Sequence, residues 1–196
     1  MEFYLNGEHI DITLEGEKTI GEVLRSFEET AQKNNCATVG IKIDGKDISA
    51  DEFDEAAARE LKDDTRIELT TVSQGAVTQA FKDSAAEISE TVEILLELPA
   101  LFQSGSDSKA KASIARLADV VDKFCHVTAI SALFPEKFGK IGVDGKSLSD
   151  FFAELMPIFN DLNGAMESGD TVLLSDLAEY EISPRLKALA QAVKDL

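Results

Sequence analysis

Apolar residues recur at every second position near the start of this chain, and at every third or fourth position through its last 120 residues or so. Phe3, Leu5, Ile10, Ile12 and Leu14 alternate with Glu2, Tyr4, Asn6, His9, Asp11 and Thr13. That period of two marks a pair of half-buried strands. Asn6-Gly7 divides the runs, and both residues tolerate the positive φ that a tight hairpin turn needs. A chain that begins this way is built on a sheet.

The period then changes to that of a helix. Thr19 and Glu22 have capping-box spacing. Ile20, Val23, Leu24, Phe27 and Ala31 recur at helical intervals until Asn34-Asn35. Val39, Ile41 and Ile43 predict a third strand closed by Asp44-Gly45. Ser49 and Glu52 form a second capping box, opening a short helix over residues 50–61. Asp63-Asp64 turns the chain into a last strand around Ile67 and Leu69, with Arg66, Glu68 and Thr70 on its other face.

This ββαββ order, with a short helix before the final strand, resembles ubiquitin-like β-grasp domains over residues 1–73. The resemblance implies a mixed sheet wrapped on one helix. It implies no activity, because this fold serves many. No Gly-Gly pair stands after the last strand, so conjugation through a C-terminal glycine is not expected. The outward face (Tyr4, His9, Asp11, Thr13, Lys42, Arg66, Glu68 and Thr70) is mostly polar rather than an apolar recognition patch.

Gln74-Gly75 marks the junction with a helical half spanning residues 76–196. Phe81, Ile88, Leu95 and Phe102 stand seven apart, the spacing of a bundle seam, and Val77 and Val92 share their stripe. Pro99 is placed to kink or end that helix. A second helix carries Ile114, Leu117, Val121, Phe124 and Leu133 and ends at Phe134-Pro135, with a loop from Gly139 to Gly145. A third carries Leu148, Phe151, Phe152, Leu155, Met156, Phe159, Leu162 and Met166, with Pro157 expected to bend or split it. A fourth starts from Asp170 and runs through Leu173, Leu174, Leu177, Leu186, Leu189 and Val193, with Pro184 in its middle. Four such segments with short links predict an antiparallel four-helix bundle. The fold class expected is therefore α+β: a β-grasp domain, then an all-α bundle. The stretch from Asp170 to Leu196 is also similar, in composition and spacing, to the last helix of flagellin-type export chaperones. One nine-residue echo stands out: Ile41–Ser49 matches Ile141–Ser149 around a shared Asp-Gly-Lys, which a common turn-into-helix solution explains.

The formal charge is −18, and both halves are acidic, with 18 acids against 8 bases in residues 1–73 and 19 against 11 in residues 74–196. Such a field repels phosphate backbones, so nucleic acid is not expected as a partner. A basic protein partner is compatible with it. No basic-then-apolar leader opens the chain and no apolar run approaches a membrane span. The two cysteines, Cys36 and Cys125, fall in different halves. A cytoplasmic setting is expected.

No catalytic signature emerges. His9 and His126 are the only histidines, and Cys125 beside His126 points elsewhere from it on a helix. Paired carboxylates such as Glu28-Glu29 and Asp63-Asp64 have no apolar setting that would tune them for acid–base work. Asp44–Asp47 lacks calcium-loop spacing, and no phosphate-binding glycine loop is present. No cofactor or metal is expected. The richest surface is the aromatic and methionine cluster Phe151, Phe152, Met156, Phe159 and Met166, with Tyr180 as a further edge. Met and Phe surfaces adapt to a partner's helix. The expected function is a non-enzymatic cytoplasmic adaptor or chaperone-like module that binds a protein through its helical half. The alternatives are a small enzyme with a polar site between the two domains, and a homo-oligomer paired through its long helices.

Overall fold

A computed structural model describes all 196 residues. In it Asn6 and Gly7 take φ values of 51° and 86°, joining β1 (Glu2–Leu5) to β2 (Glu8–His9). The chain forms two units, Met1–Ala76 and Val77–Leu196, and the fold is α+β: a mixed sheet, then a helical region.

In the first unit, α1 (Ile20–Lys33) starts at the predicted capping box, with the Thr19 hydroxyl accepting from Glu22 N–H and the Glu22 carboxylate accepting from Thr19 N–H. β3 (Cys36–Ile43) turns through Asp44-Gly45 into β4 (Lys46–Asp47). A 3₁₀ turn (Ala50–Glu52) leads into α2 (Phe53–Ala57), and β5 (Arg66–Ser73) closes the sheet. The strand order is β2-β1-β5-β3-β4, with β1 parallel to β5 and every other pair antiparallel. α1 lays Ile20, Val23 and Leu24 against Phe3, Ile43, Ile67 and Leu69, and Ala56 of α2 completes the core. On the opposite face the Arg66 guanidinium lies 4.2 Å from the centre of the Tyr4 ring, and Tyr4 meets His9 edge-on. That face is polar, as its alternation requires.

Three expectations are corrected here. The second strand stops at His9, and Ile10, Ile12 and Leu14 leave the sheet 37–41 % exposed. Residues 10–14 form no strand and are all exposed, so the second half-buried strand expected here is only two residues long. Val39 is 45 % exposed because the β3–β5 register shifts between Thr38 and Gly40; the bulge turns Val39 outward while Ile43 keeps its inward place. The helix expected over residues 50–61 ends at Ala57, since Arg59 O accepts from Ile20 N–H and Leu61 N–H donates to Lys18 O.

Asp44 ties this unit together. Its carboxylate accepts from the Arg66 backbone N–H at 3.0 Å and from the Arg59 guanidinium. These contacts, the backbone bond first, hold its pKa below the ordinary aspartate range. A carboxylate whose folded pKa is lowered stabilises fully above its unfolded pKa, about 4, and loses that contribution as pH falls through the folded value. Asp44→Ala is expected to lose about 1 kcal/mol at neutral pH, kept small by solvent at the ion pair. Urea midpoints at pH 7 and pH 3 test this: the gap between wild type and variant should shrink at the lower pH.

In the second unit, α3 (Gln74–Leu96) buries Val77, Phe81, Ile88, Val92 and Leu95 on one stripe. It ends before α4 (Leu98–Gln103), whose first turn holds Pro99. The proline thus ends the helix, as its missing N–H predicts. Next come α5 (Asp107–Ser131) and α6 (Pro135–Phe138). Leu133 lies past the end of α5 and is 46 % exposed, outside the stripe that its spacing predicts.

Residues 139–145 are more than a loop. β6 (Gly142–Val143) and β7 (Lys146–Ser147) form a hairpin around Asp144-Gly145, and Ser147 caps α7 (Leu148–Ser168). The echo between the two halves is therefore structural. Asp44-Gly45 and Asp144-Gly145 share φ near 52° and 80°. After each turn a lysine pairs with a glutamate further along the chain, Lys46 with Glu52 and Lys146 with Glu154.

α7 runs unbroken through Pro157, so that proline does not split it. After Asp170, which caps α8 (Thr171–Asp176), the chain widens into a π-helical turn at Leu177–Ile182 before α9 (Ser183–Lys194). Pro184 explains the widening. It has no N–H for the carbonyl four residues back, and its ring presses on that carbonyl. The Arg185 guanidinium bonds the Glu181 carbonyl and carboxylate, both at 2.7 Å. No helix is long and apolar enough to cross a membrane.

Candidate functional site

Two helices of the second unit leave an apolar groove between them. α5 contributes Ile114, Leu117, Ala118, Val121 and Cys125, residues at helical intervals along one face. α7 contributes Phe159, Leu162 and Met166. The groove measures about 490 Å³, within the range of sites that take a drug-sized ligand or a few side chains. Lys111, Asp122 and Asn163 are its polar margin, and Asn163 donates to Glu167 at 3.0 Å.

The sequence-derived cluster divides over this structure. Phe159 and Met166, seven residues apart, line the groove. Phe151 is 6 % exposed and stacks edge-on against Phe152. Phe152 meets Phe124 of α5 at 5.9 Å, so this pair belongs to the core between α5 and α7. Met156 is 53 % exposed and lies outside the groove lining. Tyr180 stands on the π-helical turn, 63 % exposed, and its hydroxyl pKa is raised by a hydrogen bond and charge from Glu179. The six residues therefore do not form one surface.

Sequence reasoning misses the wall built by α5 as a site. Ile114, Leu117 and Val121 read as core from their spacing. Whether such a stripe is covered depends on how far the neighbouring helix stands off, which spacing does not encode. The one signal in the sequence is the pair of small residues, Ala115 and Ala118, beside the stripe.

Cys125 is exposed, yet its thiol sits against apolar walls. Burial first, and then the Asp122 carboxylate, push its pKa above the ordinary thiol range. A thiol of this kind is a poor nucleophile at neutral pH. The carboxylates that shift are Glu22, Asp44 and Glu52, all downward and each through local hydrogen bonds to caps or bases. They are structural in that role. No group of three or more His, Cys, Asp or Glu is arranged to hold a metal.

The helical unit decides the relationship of this chain to known proteins. Residues 79–192 match a family described as Domain of unknown function (DUF8042). The chain belongs to that family. Residues 1–73 match a second family, described as TP0873 N-terminal domain. An uncharacterised protein of Treponema pallidum (strain Nichols) is 28% identical over 193 residues, covering 98% of this chain and 96% of that protein. The similarity runs through both units of this chain. No solved structure matches the chain.

Proposed function

We propose that this DUF8042 protein is a non-enzymatic, cytoplasmic protein-interaction module whose helical unit receives an amphipathic helix of a partner protein. The groove between α5 and α7 carries the reading. Its lining is mainly apolar and sulfur-bearing side chains on two helices, the surface type that accepts the i, i+3, i+4, i+7 anchors of a docked helix. Met166 and Phe159 supply adaptable contact. Acidic groups dominate the chain as a whole, which favours a partner with basic flanks. On this reading the helices form an antiparallel bundle, and the first unit is a β-grasp head. Its central parallel β1–β5 pair and the helix α1 packed across the sheet support that assignment.

Ala118 gives the test, because it lines the groove yet is exposed. Ala118→Trp fills the groove from an exposed position on α5. The partner is captured from source-cell lysate on the full chain and then purified. Its affinity is expected to fall at least about tenfold for Ala118→Trp, at an unchanged melting temperature. Bound partner is also expected to slow alkylation of Cys125. An affinity indifferent to Ala118→Trp, with Cys125 still freely alkylated in the complex, removes the groove as the site. Concentration-dependent light scattering without any partner favours the homo-oligomer instead.

A further inference from the structure

A second groove, on α3 and α9, has the opposite chemistry. Lys82, Ala85, Ala86, Ser89 and Glu93 of α3 face Lys187, Ala190, Gln191 and Lys194 of α9 across about 440 Å³. We infer that this groove is a docking site for an acidic helix of a protein partner, separate from the apolar groove of α5 and α7.

Charge is the first argument. The chain is net −18, yet this margin gathers three lysines and a single carboxylate. Lys82 is the only base in α3, and α9 carries Arg185, Lys187 and Lys194 with no acid at all. Arg185 is already engaged by Glu181. Lys187 has one carboxylate neighbour, Glu93, at 4.0 Å, and Lys82 and Lys194 enter no ion pair. Two of these three lysines have no ion partner and the third has one at 4.0 Å, so the margin of this groove carries net positive charge. The complementary surface is acidic.

Shape is the second argument. The floor is alanine and serine: Ala85 and Ala190 are buried at 4 % and 5 %. The Ser89 hydroxyl turns back to donate to the Ala85 carbonyl at 2.7 Å, so its proton is already used within α3. Small side chains let a third helix approach closely, ridge into groove. Lys187 and Lys194 lie seven residues apart, two turns or about 10.5 Å along α9. A helix with carboxylates at seven-residue spacing meets both, with Lys82 opposite. A lone phosphate has no such match along the groove.

The test uses the full chain and a variant, K82E/K187E/K194E, whose three positions are all exposed, so that folding is checked by an unchanged melting temperature. The probe is a synthetic alanine-rich helix of about six turns bearing glutamates seven residues apart, read by fluorescence anisotropy at low and high salt. Wild type is expected to bind it, to lose affinity as salt rises, and to bind at least about tenfold more tightly than the reversed variant. A lysine-bearing version of the probe is expected not to bind. The inference is overturned by equal affinity for wild type and variant, by no binding at any salt, by equal affinity for a proline-broken peptide of the same charge, or by self-association lost on charge reversal. Ala118→Trp is expected to leave probe binding unchanged, which keeps this outcome separate from that of the α5–α7 groove.

Discussion

Phe124→Ala is expected to destabilise the helical unit by about 3–5 kcal/mol. Phe124 is fully buried in α5. Its ring lies 5.7 Å from Phe81 of α3 and 5.9 Å from Phe152 of α7. Phe81 reaches Phe138 of α6 at 5.5 Å, and Phe138 meets Phe134. The rings thus form one connected series across four helices, with Phe124 joining its two arms. Offset and tilted aromatic pairs add to area burial, and truncation leaves a cavity that four separate helices must collapse together to fill. A loss of this size is a large part of the roughly 5–15 kcal/mol by which domains are stable. Urea unfolding monitored by far-UV circular dichroism measures it. Val172→Ala is the control, since Val172 is 70 % exposed and should shift stability by no more than about 0.5 kcal/mol. Equal midpoints for the two variants would show that the aromatic series does not hold the unit together.

Phe81 and Phe124 are visible in the sequence because burial on a helix repeats. The seven-residue spacing of Phe81, Ile88, Leu95 and Phe102 predicts one covered stripe; the first three are buried, while Phe102 lies past the end of α3 in α4 and is half-buried. Capping chemistry is equally legible. Thr19 with Glu22 and Ser49 with Glu52 mark helix starts because the reciprocal bonds are local. The rest depends on partners distant in sequence. Ile10, Ile12 and Leu14 alternate like a strand, but β1 finds β5 on its other side and the chain peels away after His9. Val39 turns outward through a bulge that only the pairing with β5 creates. Pro184 reads as a proline within a helix, and its remedy, a π-helical turn upstream, is a backbone response no residue pattern specifies. The candidate site is illegible for the same reason. Phe151, Phe152, Phe159 and Met166 share one helix and one composition. Their division into core and groove is decided by where α5 passes.

Gly142 carries the second large effect, and there the sequence echo and the structure make opposite predictions. In the aligned segments Ile41–Ser49 and Ile141–Ser149, the residue matching Gly142 is Lys42. The two hairpins also share register, Lys42 opposite Asp47 and Gly142 opposite Ser147. By analogy a side chain at 142 should be tolerated. The backbone disagrees: a Cβ on Gly142 would overlap the Lys146 carbonyl oxygen and stand 3.3 Å from its carbon. That obstacle is main chain in the facing strand, so no side-chain rotation relieves it. Gly142→Ala must spread the hairpin, and the disturbance reaches three neighbours. Val143 is buried at 1 %, Lys146 pairs with Glu154, and Ser147 caps α7. A loss of about 1–3 kcal/mol is expected, as for other forced overpacking. Gly164→Ala supplies the opposite sign. Gly164 is exposed within α7 with open space where its Cβ would stand, and alanine there should gain about 0.5–1 kcal/mol from helix propensity. Both variants replace one glycine by alanine in adjoining elements, so unfolded-state effects largely cancel between them. A Gly142→Ala midpoint at or above that of Gly164→Ala would mean that the hairpin adjusts as its counterpart around Lys42 does, and that the close approach to Lys146 is not a constraint on the fold.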